Sequence, residues 1–432
     1  MRLLSTKVCA LPFVLLMLSG SIAAETLTLD QCIELALKNR ANIIIARGGA
    51  SQAGADYLRA LGQFLPNVDA SYSRSTGEEY DIQQTGDTTS TQEFGPNKRF
   101  TINGSVDIVN VATWFNFFGA GADKSAAHLS SINTEQELIF DVKLAYYDHL
   151  RSVQNEDVNK QAVERSKEQL KLVESRYELG SAAYSDVLGQ RVQYGNDQLE
   201  YLRAQNAVTS SRAFLSYTIG IDPSVDYDFA TVEETREYDG TMQEAIGFGL
   251  DHEPGLLASA KDVKASKLAL KSAWADYIPT LSFFGSYKYF DGTQAFPTAF
   301  DRSSKSKTFG IQASFNIFDG FGRQRNITYA KVNRNNKLAE FSDARNQVMQ
   351  QIKAAYLGIQ NQKEAVSVAQ GSVNSAEENM KIVQERYNLG AATILDLLQA
   401  QEDLKRAQVS LINSKFDLNL AIARLENAMG KP

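Results

Sequence analysis

Cysteine is almost missing from this chain: its 432 residues include only Cys9 and Cys32. Two thiols cannot staple a protein of this size, which excludes a disulfide framework. Histidine is nearly as rare. His128, His149 and His252 are scattered, and none stands in a metal-ligand spacing. There is no G-x-S-x-G elbow, no phosphate-cradling glycine loop and no CxxC pair. Asp and Glu are plentiful but fall mostly on polar helix faces, where a solvated surface is the default. No catalytic site, metal or cofactor is therefore expected. Basic excess is lacking too: Lys+Arg number 44 against Asp+Glu 51, a formal charge of -7. A nucleic-acid partner is not expected from that balance. Beyond the first 23 residues no apolar run approaches the ~18 residues of a spanning helix. Disorder is excluded in turn by an apolar content of 43% with 22% charged residues.

Residues 1–23 read as a secretory signal peptide. Arg2 and Lys7 form the basic segment, Val8 to Leu18 the apolar one, and Ser21-Ile22-Ala23 the small-residue site, with cleavage after Ala23 or after Ala24. Cys9 precedes the end of the apolar run, so it is not placed to become a lipidated first residue. Losing 1–23 removes two basic groups and no acidic one, which deepens the negative charge. An exported chain without a spanning helix is either soluble or crosses a membrane as β-strands, the other element that satisfies its backbone in lipid.

The chain is written twice. Arg176-Tyr-Glu-Leu-Gly180 recurs 210 positions on as Arg386-Tyr-Asn-Leu-Gly390, and the same offset carries Ala182 onto Ala392 and Asp186 onto Asp396. Nearer the N-terminus the offset is 213, carrying Thr28 onto Thr241, Leu37 onto Leu250 and Pro66 onto Pro279. The expected organisation is a first repeat over 24–221, a polar linker over 222–240 and a second repeat over 241–432.

Each repeat changes period in the same order. Residues 28–65 predict helix, ending near Pro66. Val68, Ala70 and Tyr72 then alternate with polar neighbours, and a polar insert covers 76–97. A second alternating run carries Phe100, Ile102, Gly104, Val106 and Ile108 on one face. The second repeat has Leu281, Phe283, Gly285, Tyr287 and Tyr289, an insert over 292–307, then Phe309, Ile311, Ala313, Phe315 and Ile317. These predict four long amphipathic strands. Helical period follows. Val366 to Tyr387, and Leu397 to Ala428, keep a 3-4 spacing rich in alanine, the pattern of closely approaching coiled-coil seams. The arm from about Ser125 to Tyr177 would be a rod of roughly 80 Å. The two glycines of the repeated pentapeptides suit left-handed helix C-termini.

Four strands cannot close a membrane barrel, and an open edge is not tolerated in lipid. If the strands cross a membrane, copies must combine: two for eight strands, three for twelve, four for sixteen. The competing reading is a secreted structural or adhesive coiled-coil protein without transport activity.

The duplicated order of helix, strand pair and long hairpin, Pro66 and Pro279 ahead of the strands, and the Arg-Tyr-x-Leu-Gly tips with a downstream Asp together resemble the outer-membrane efflux protein family, the TolC-like channel-tunnels. The resemblance covers essentially the whole mature chain. It implies a mixed, mainly α fold, in which long antiparallel coiled-coil hairpins join a shared barrel of twelve strands in a homotrimer. The barrel would sit in outer-membrane lipid and the helical tunnel in the periplasm. The trimer would be the passive exit duct of a tripartite efflux or type I secretion system, with a periplasmic adaptor and an inner-membrane pump or ABC transporter as partners.

The resemblance also implies roles at the hairpin tips. Asp186 and Asp396 match the acidic residue past each tip, and Tyr177 and Tyr387 match the tip tyrosine of a periplasmic gate. Arg176, Leu179, Gly180, Arg386, Leu389 and Gly390 match the adaptor-contacting tips. The family's typical example has an arginine and a second aspartate where this chain has Ala392 and Gln399. The closed state is therefore expected to be held mainly by tyrosine and packing. For Asp186 and Asp396, helix capping stands beside the gate role, and one residue can serve both. A carboxylate ring in a narrow bore attracts cations, so combining Asp186→Ala with Asp396→Ala should change cation selectivity in planar-bilayer conductance. Unchanged selectivity would remove the ring.

Overall fold

The computed structural model describes residues 26–76, 78–83, 89–231, 238–295 and 299–431. The expected signal peptide and part of the expected linker lie outside these. The first repeat comprises α1 (Leu29–Asn39), α2 (Ala41–Gly62), β1 (Asn67–Ser75), β2 (Glu78–Gln83), β3 (Thr89–Val109), α3 (Val111–Glu178) and α4 (Tyr184–Ile219). The second comprises α5 (Met242–His252), α6 (Pro254–Ala275), β4 (Thr280–Ala295), β5 (Ala299–Ser314), α7 (Gly322–Asn388) and α8 (Ile394–Ala428). Both open on a capping box. Thr28 exchanges hydrogen bonds with Gln31, and Thr241 with Glu244, through backbone and side chain in each case.

The helix expected over 28–65 is two helices. The chain breaks at Arg40, which is extended (φ -72, ψ 129). In the second repeat the break is at Glu253, where the following Pro254 disfavours the helical region. Arg40 has no such neighbour. Its guanidinium donates to the Tyr217 carbonyl at 3.1 Å and lies 4.7 Å from the Tyr217 ring centroid. That contact ties the break to a residue 177 positions away on α4.

The expected inserts are largely strand. β2 pairs with the first part of β3, and β4 and β5 run to Ala295 and from Ala299. Alternation is absent from the sequence there while backbone pairing continues. The last strand also ends earlier than expected, at Ser314 rather than Ile317.

Strand order is β1-β3-β4-β5, antiparallel throughout, with β2 also on β3. Register aligns the apolar residues of all four spans. Val68 opposes Gly104, and Ala70 opposes Ile102. Ile102 opposes Tyr287, and Val106 opposes Phe283. Phe283 opposes Ile311, and Gly285 opposes Phe309. The other face pairs Asn103 with Ser286 and Ser286 with Thr308. A slip of one residue would turn every apolar side chain over. Among the described residues no strand pairs with the outer edges of β1 or β5.

Below the sheet stand the arms. α3 has 68 residues and α7 has 67, each roughly 100 Å long at ~1.5 Å per residue. Both are longer than the sequence pattern indicates, because they begin within a few residues of the strands. Two cores hold the arms together midway. One joins Cys32 and Ala36 of α1 to Leu138, Val142 and Tyr146 of α3 and Leu215 of α4. Burial pushes the Cys32 thiol up to about 12. The other joins Ala245 of α5 to Ile352 and Ile359 of α7. α8 serves both, giving Phe416 and Leu420 to the first and Leu418, Ile422 and Leu425 to the second. Lys143 of α3 seals the junction with an ion pair to Glu426 of α8 at 2.9 Å.

The expected α8 seam is buried at Leu397, Ala400 and Leu404 and again from Leu418 to Ala428. Between them Ala407, Leu411 and Ser414 are only half-buried. There α8 and α4 flank a polar cleft, and Lys405 crosses it to Asp197 at 3.2 Å. Truncating a buried leucine loses transfer free energy and leaves a cavity. Leu425→Ala, fully buried in the second core, should therefore cost about 2–5 kcal/mol, whereas Leu395→Ala, at 72% exposure, should change little. Circular-dichroism melts of the two variants provide the check.

Candidate functional site

The tips of the two long hairpins lie side by side, joined by a small apolar cluster. Each helix ends in the same motif. Gly180 (φ 74) and Gly390 (φ 77) take the left-handed conformation. Ser181 N–H donates back to the Arg176 carbonyl, and Ala391 N–H to that of Arg386, both at 2.8 Å. A Cβ on either glycine would meet nothing within 4 Å, so the backbone angle, not crowding, calls for glycine. The turns push Leu179 and Leu389 outward, each 84% exposed.

The two aspartates differ. Asp396 closes a capping box at the start of α8: its Oδ2 accepts from Thr393 N at 2.8 Å and from Thr393 Oγ1 at 2.7 Å, and Thr393 Oγ1 accepts from Asp396 N at 3.2 Å. The Thr393 hydroxyl and N–H hold this carboxyl below the usual carboxylate range. The first repeat has Ala183 at that cap position, which offers no side-chain acceptor. Asp186 is half-buried and accepts a long 3.4 Å hydrogen bond from Ser185 Oγ. Asp396 is thus committed to its helix, while Asp186 has no capping partner of that kind.

The two tyrosines part company as well. Tyr387 is buried in a cluster of Val173, Val187 and Leu397 that joins hairpin to hairpin. Tyr177 is 46% exposed and packs on Tyr184 of its own hairpin, with centroids 5.4 Å apart. Arg176 turns across the gap between the hairpins. Its guanidinium sits 5.1 Å from the Tyr387 ring centroid, and Nη2 donates to Asn388 Oδ1 at 3.1 Å. Burial raises the Tyr387 pKa, Arg176 opposes that shift and Asp186 adds to it. Arg386 stays in its own turn, donating to the Ala391 carbonyl at 3.2 Å. Gln399 donates to Asp403 at 2.9 Å along α8. Ala392 packs against the Tyr387 cluster. Asn388 and Tyr184 join this site without having been expected there. Asn388 stands where the first pentapeptide has Glu178, and Tyr184 where the second repeat has Ile394. Those departures from the repeat were the available signal.

Among the described residues no group of three or more His, Cys, Asp or Glu could hold a metal, and no helix is long and apolar enough to cross a membrane.

A family model described as outer membrane efflux protein matches residues 32–220 and 249–431. The chain belongs to that family. It is 22% identical over 426 residues to the outer membrane efflux protein BepC of Brucella suis biovar 1 (strain 1330), covering 96% of this chain and 89% of that protein. It is 25% identical over 347 residues to the outer membrane protein TolC of Vibrio cholerae serotype O1, covering 76% of each. In fold it matches the Campylobacter jejuni CmeC outer membrane channel with a TM-score of 0.81 at 20% identity, covering 93% of this chain and 85% of that one. The Vibrio cholerae outer membrane protein VceC matches with a TM-score of 0.78 at 20% identity, covering 93% and 96%. As an outer membrane efflux protein the chain is an outer-membrane duct with its helical tunnel in the periplasm, and members of the family are channels. The secreted structural coiled-coil reading is set aside.

The tip geometry yields a test. A cation over an aromatic ring contributes roughly 0.5–1 kcal/mol where water still has access, so Arg176→Gln should let the two hairpins part more readily and raise single-channel conductance. Arg386→Gln, which leaves the cross-hairpin contact intact, should not.

Proposed function

We propose that three copies close one twelve-stranded barrel and one helical tunnel, and that this trimer is the exit duct of a tripartite efflux or type I secretion machine. The carrying observation is the sheet: four apolar-faced spans in register, with β1 and β5 as edges that no strand covers among the described residues. In hydrocarbon those edges demand partners, and a second copy supplies the complementary edge. Each protomer then contributes two repeats, 24–221 and 241–432, joined through 222–240. The polar strand faces, such as Asn103, Ser286 and Thr308, line the bore.

At the far end, the tips carry the gate and the docking surface. Leu179 and Leu389 present apolar side chains to a periplasmic adaptor, with Gly180 and Gly390 fixing the turns beneath them. The adaptor would couple the duct to an inner-membrane pump or ABC transporter, where the energy input lies. Within each protomer, Arg176 on Tyr387 and Asn388 latches hairpin to hairpin. Asp186, free of a capping duty, is the better candidate for the carboxylate ring; Asp396 combines that position with its cap.

Native mass spectrometry of detergent-extracted protein should give three copies per particle, and bilayer recordings should give a discrete conductance. A monomer that stays dispersed without detergent would overturn the reading.

A further inference from the structure

The apolar face of the sheet turns basic at one end. All four spans meet their helices at the other end, at Asn67, Val109, Thr280 and Ser314. Away from the helices, Lys307 opposes Tyr287 and Lys305 opposes Tyr289. One step further out Arg74 opposes Lys98, and Lys98 opposes Asp291. Alternation puts all five charged side chains on the face of Ile102, Phe283 and Phe309. Between them and the helices that face carries no charge among the described residues. Four cations thus stand against one carboxylate, in a chain whose formal charge is -7.

The protein itself does little to balance these cations. Lys98 Nζ reaches Asp291 only at 3.9 Å, with both side chains more than a third exposed, and a pair of that kind contributes little. Arg74 and Lys98 are like charges directly opposed across a strand pair, an arrangement that costs stability. Lys305 Nζ lies 6.0 Å from the Tyr289 ring centroid. Arg74, Lys98, Lys305 and Lys307 are all exposed. Their height is set by the apolar row beside them: Leu281 to Tyr289 is about 9 residues, one crossing of a tilted strand at ~9–11. The cluster therefore stands where the strands leave hydrocarbon, and Lys307, one step inside, is long enough to reach outward.

We propose that Arg74, Lys98, Lys305 and Lys307 form a binding site for phosphate-bearing lipid headgroups in the outer leaflet, the leaflet away from the tunnel. A phosphate monoester brings about -1.5 to -2 charges and three acceptor oxygens, so one group can bridge the opposed Arg74 and Lys98. The guanidinium of Arg74 suits its oxygens bidentately. The occupant is lipid because the cations share a face with the apolar belt, and side chains stand perpendicular to a sheet. A second copy approaches along the β1 and β5 edges, in the plane of the sheet. This rests on the membrane-spanning reading above and adds the headgroup chemistry that the site selects.

The test places the full mature chain in phosphatidylcholine vesicles and adds acyl-chain spin-labelled phosphatidic acid or phosphatidylcholine in trace amounts. Electron paramagnetic resonance then reads how much of each probe is immobilised against protein. Phosphatidic acid should be favoured about threefold or more, the scale of one exposed charge pair. Joint replacement by Arg74→Gln, Lys98→Gln, Lys305→Gln and Lys307→Gln should bring the two probes level. Lys305→Gln with Lys307→Gln alone should lower the preference part-way, and it decides the matter if the fourfold variant does not insert. Arg99→Gln with Lys288→Gln, on the polar face, should leave the preference unchanged. Equal immobilisation of both probes by the unaltered chain, or a preference that survives the basic-face variants, would overturn the site and leave the barrel standing. If neither probe is immobilised at all, the membrane reading itself fails.

Discussion

A strand edge cannot be left open in hydrocarbon, and the rest of the structure depends on that constraint. Each unsatisfied backbone group in lipid costs several kcal/mol. This chain presents four spans and, among the described residues, two bare edges, so it has no complete membrane state alone. Closure by copies then dictates the remainder. The polar faces of the strands become a wet lining, the apolar faces a continuous belt, and the helices that follow β3 and β5 must continue the same ring below. A tunnel is the extension of a barrel once strands pass into helices without a break in the wall.

Within the protomer, α8 joins the two cores. It packs Phe416 and Leu420 into the core of the first repeat and Leu418, Ile422 and Leu425 into that of the second. Lys143 and Glu426 pair across the same junction, so the two repeats are packed together at mid-height. Towards the ends of the arms, hairpin is joined to hairpin by the small Tyr387 cluster and by Arg176.

Much of this is legible in the sequence, for a physical reason. Phe309, Ile311 and Ala313 alternate because lipid and water lie on opposite faces of one strand, and the 3-4 spacing from Leu397 to Ala428 records a helix seam. The break at Arg40 is not legible, because no proline follows it and its side chain contacts lie on distant Tyr217; only its counterpart before Pro254 betrays it. The inserts do not read as strand because their sequence carries no alternation, while a backbone ladder needs none. At the tips, Thr393-x-x-Asp396 against Ala183-x-x-Asp186 already distinguishes a capped aspartate from an uncapped one. The unequal burial of Tyr177 and Tyr387 is hidden, since nearly the same pentapeptide surrounds both: Tyr387 enters the cluster between the hairpins while Tyr177 packs on its own hairpin.

The most direct measurement of the central claim is disulfide scanning between the two bare edges. Ser71→Cys on β1 is combined in turn with Ser306→Cys, Thr308→Cys and Gln312→Cys on β5, in the full chain in its membrane. Edge closure predicts cross-links between copies at one register, ending at three chains. No cross-link between copies at any register, or a ladder that runs on past three, would contradict it.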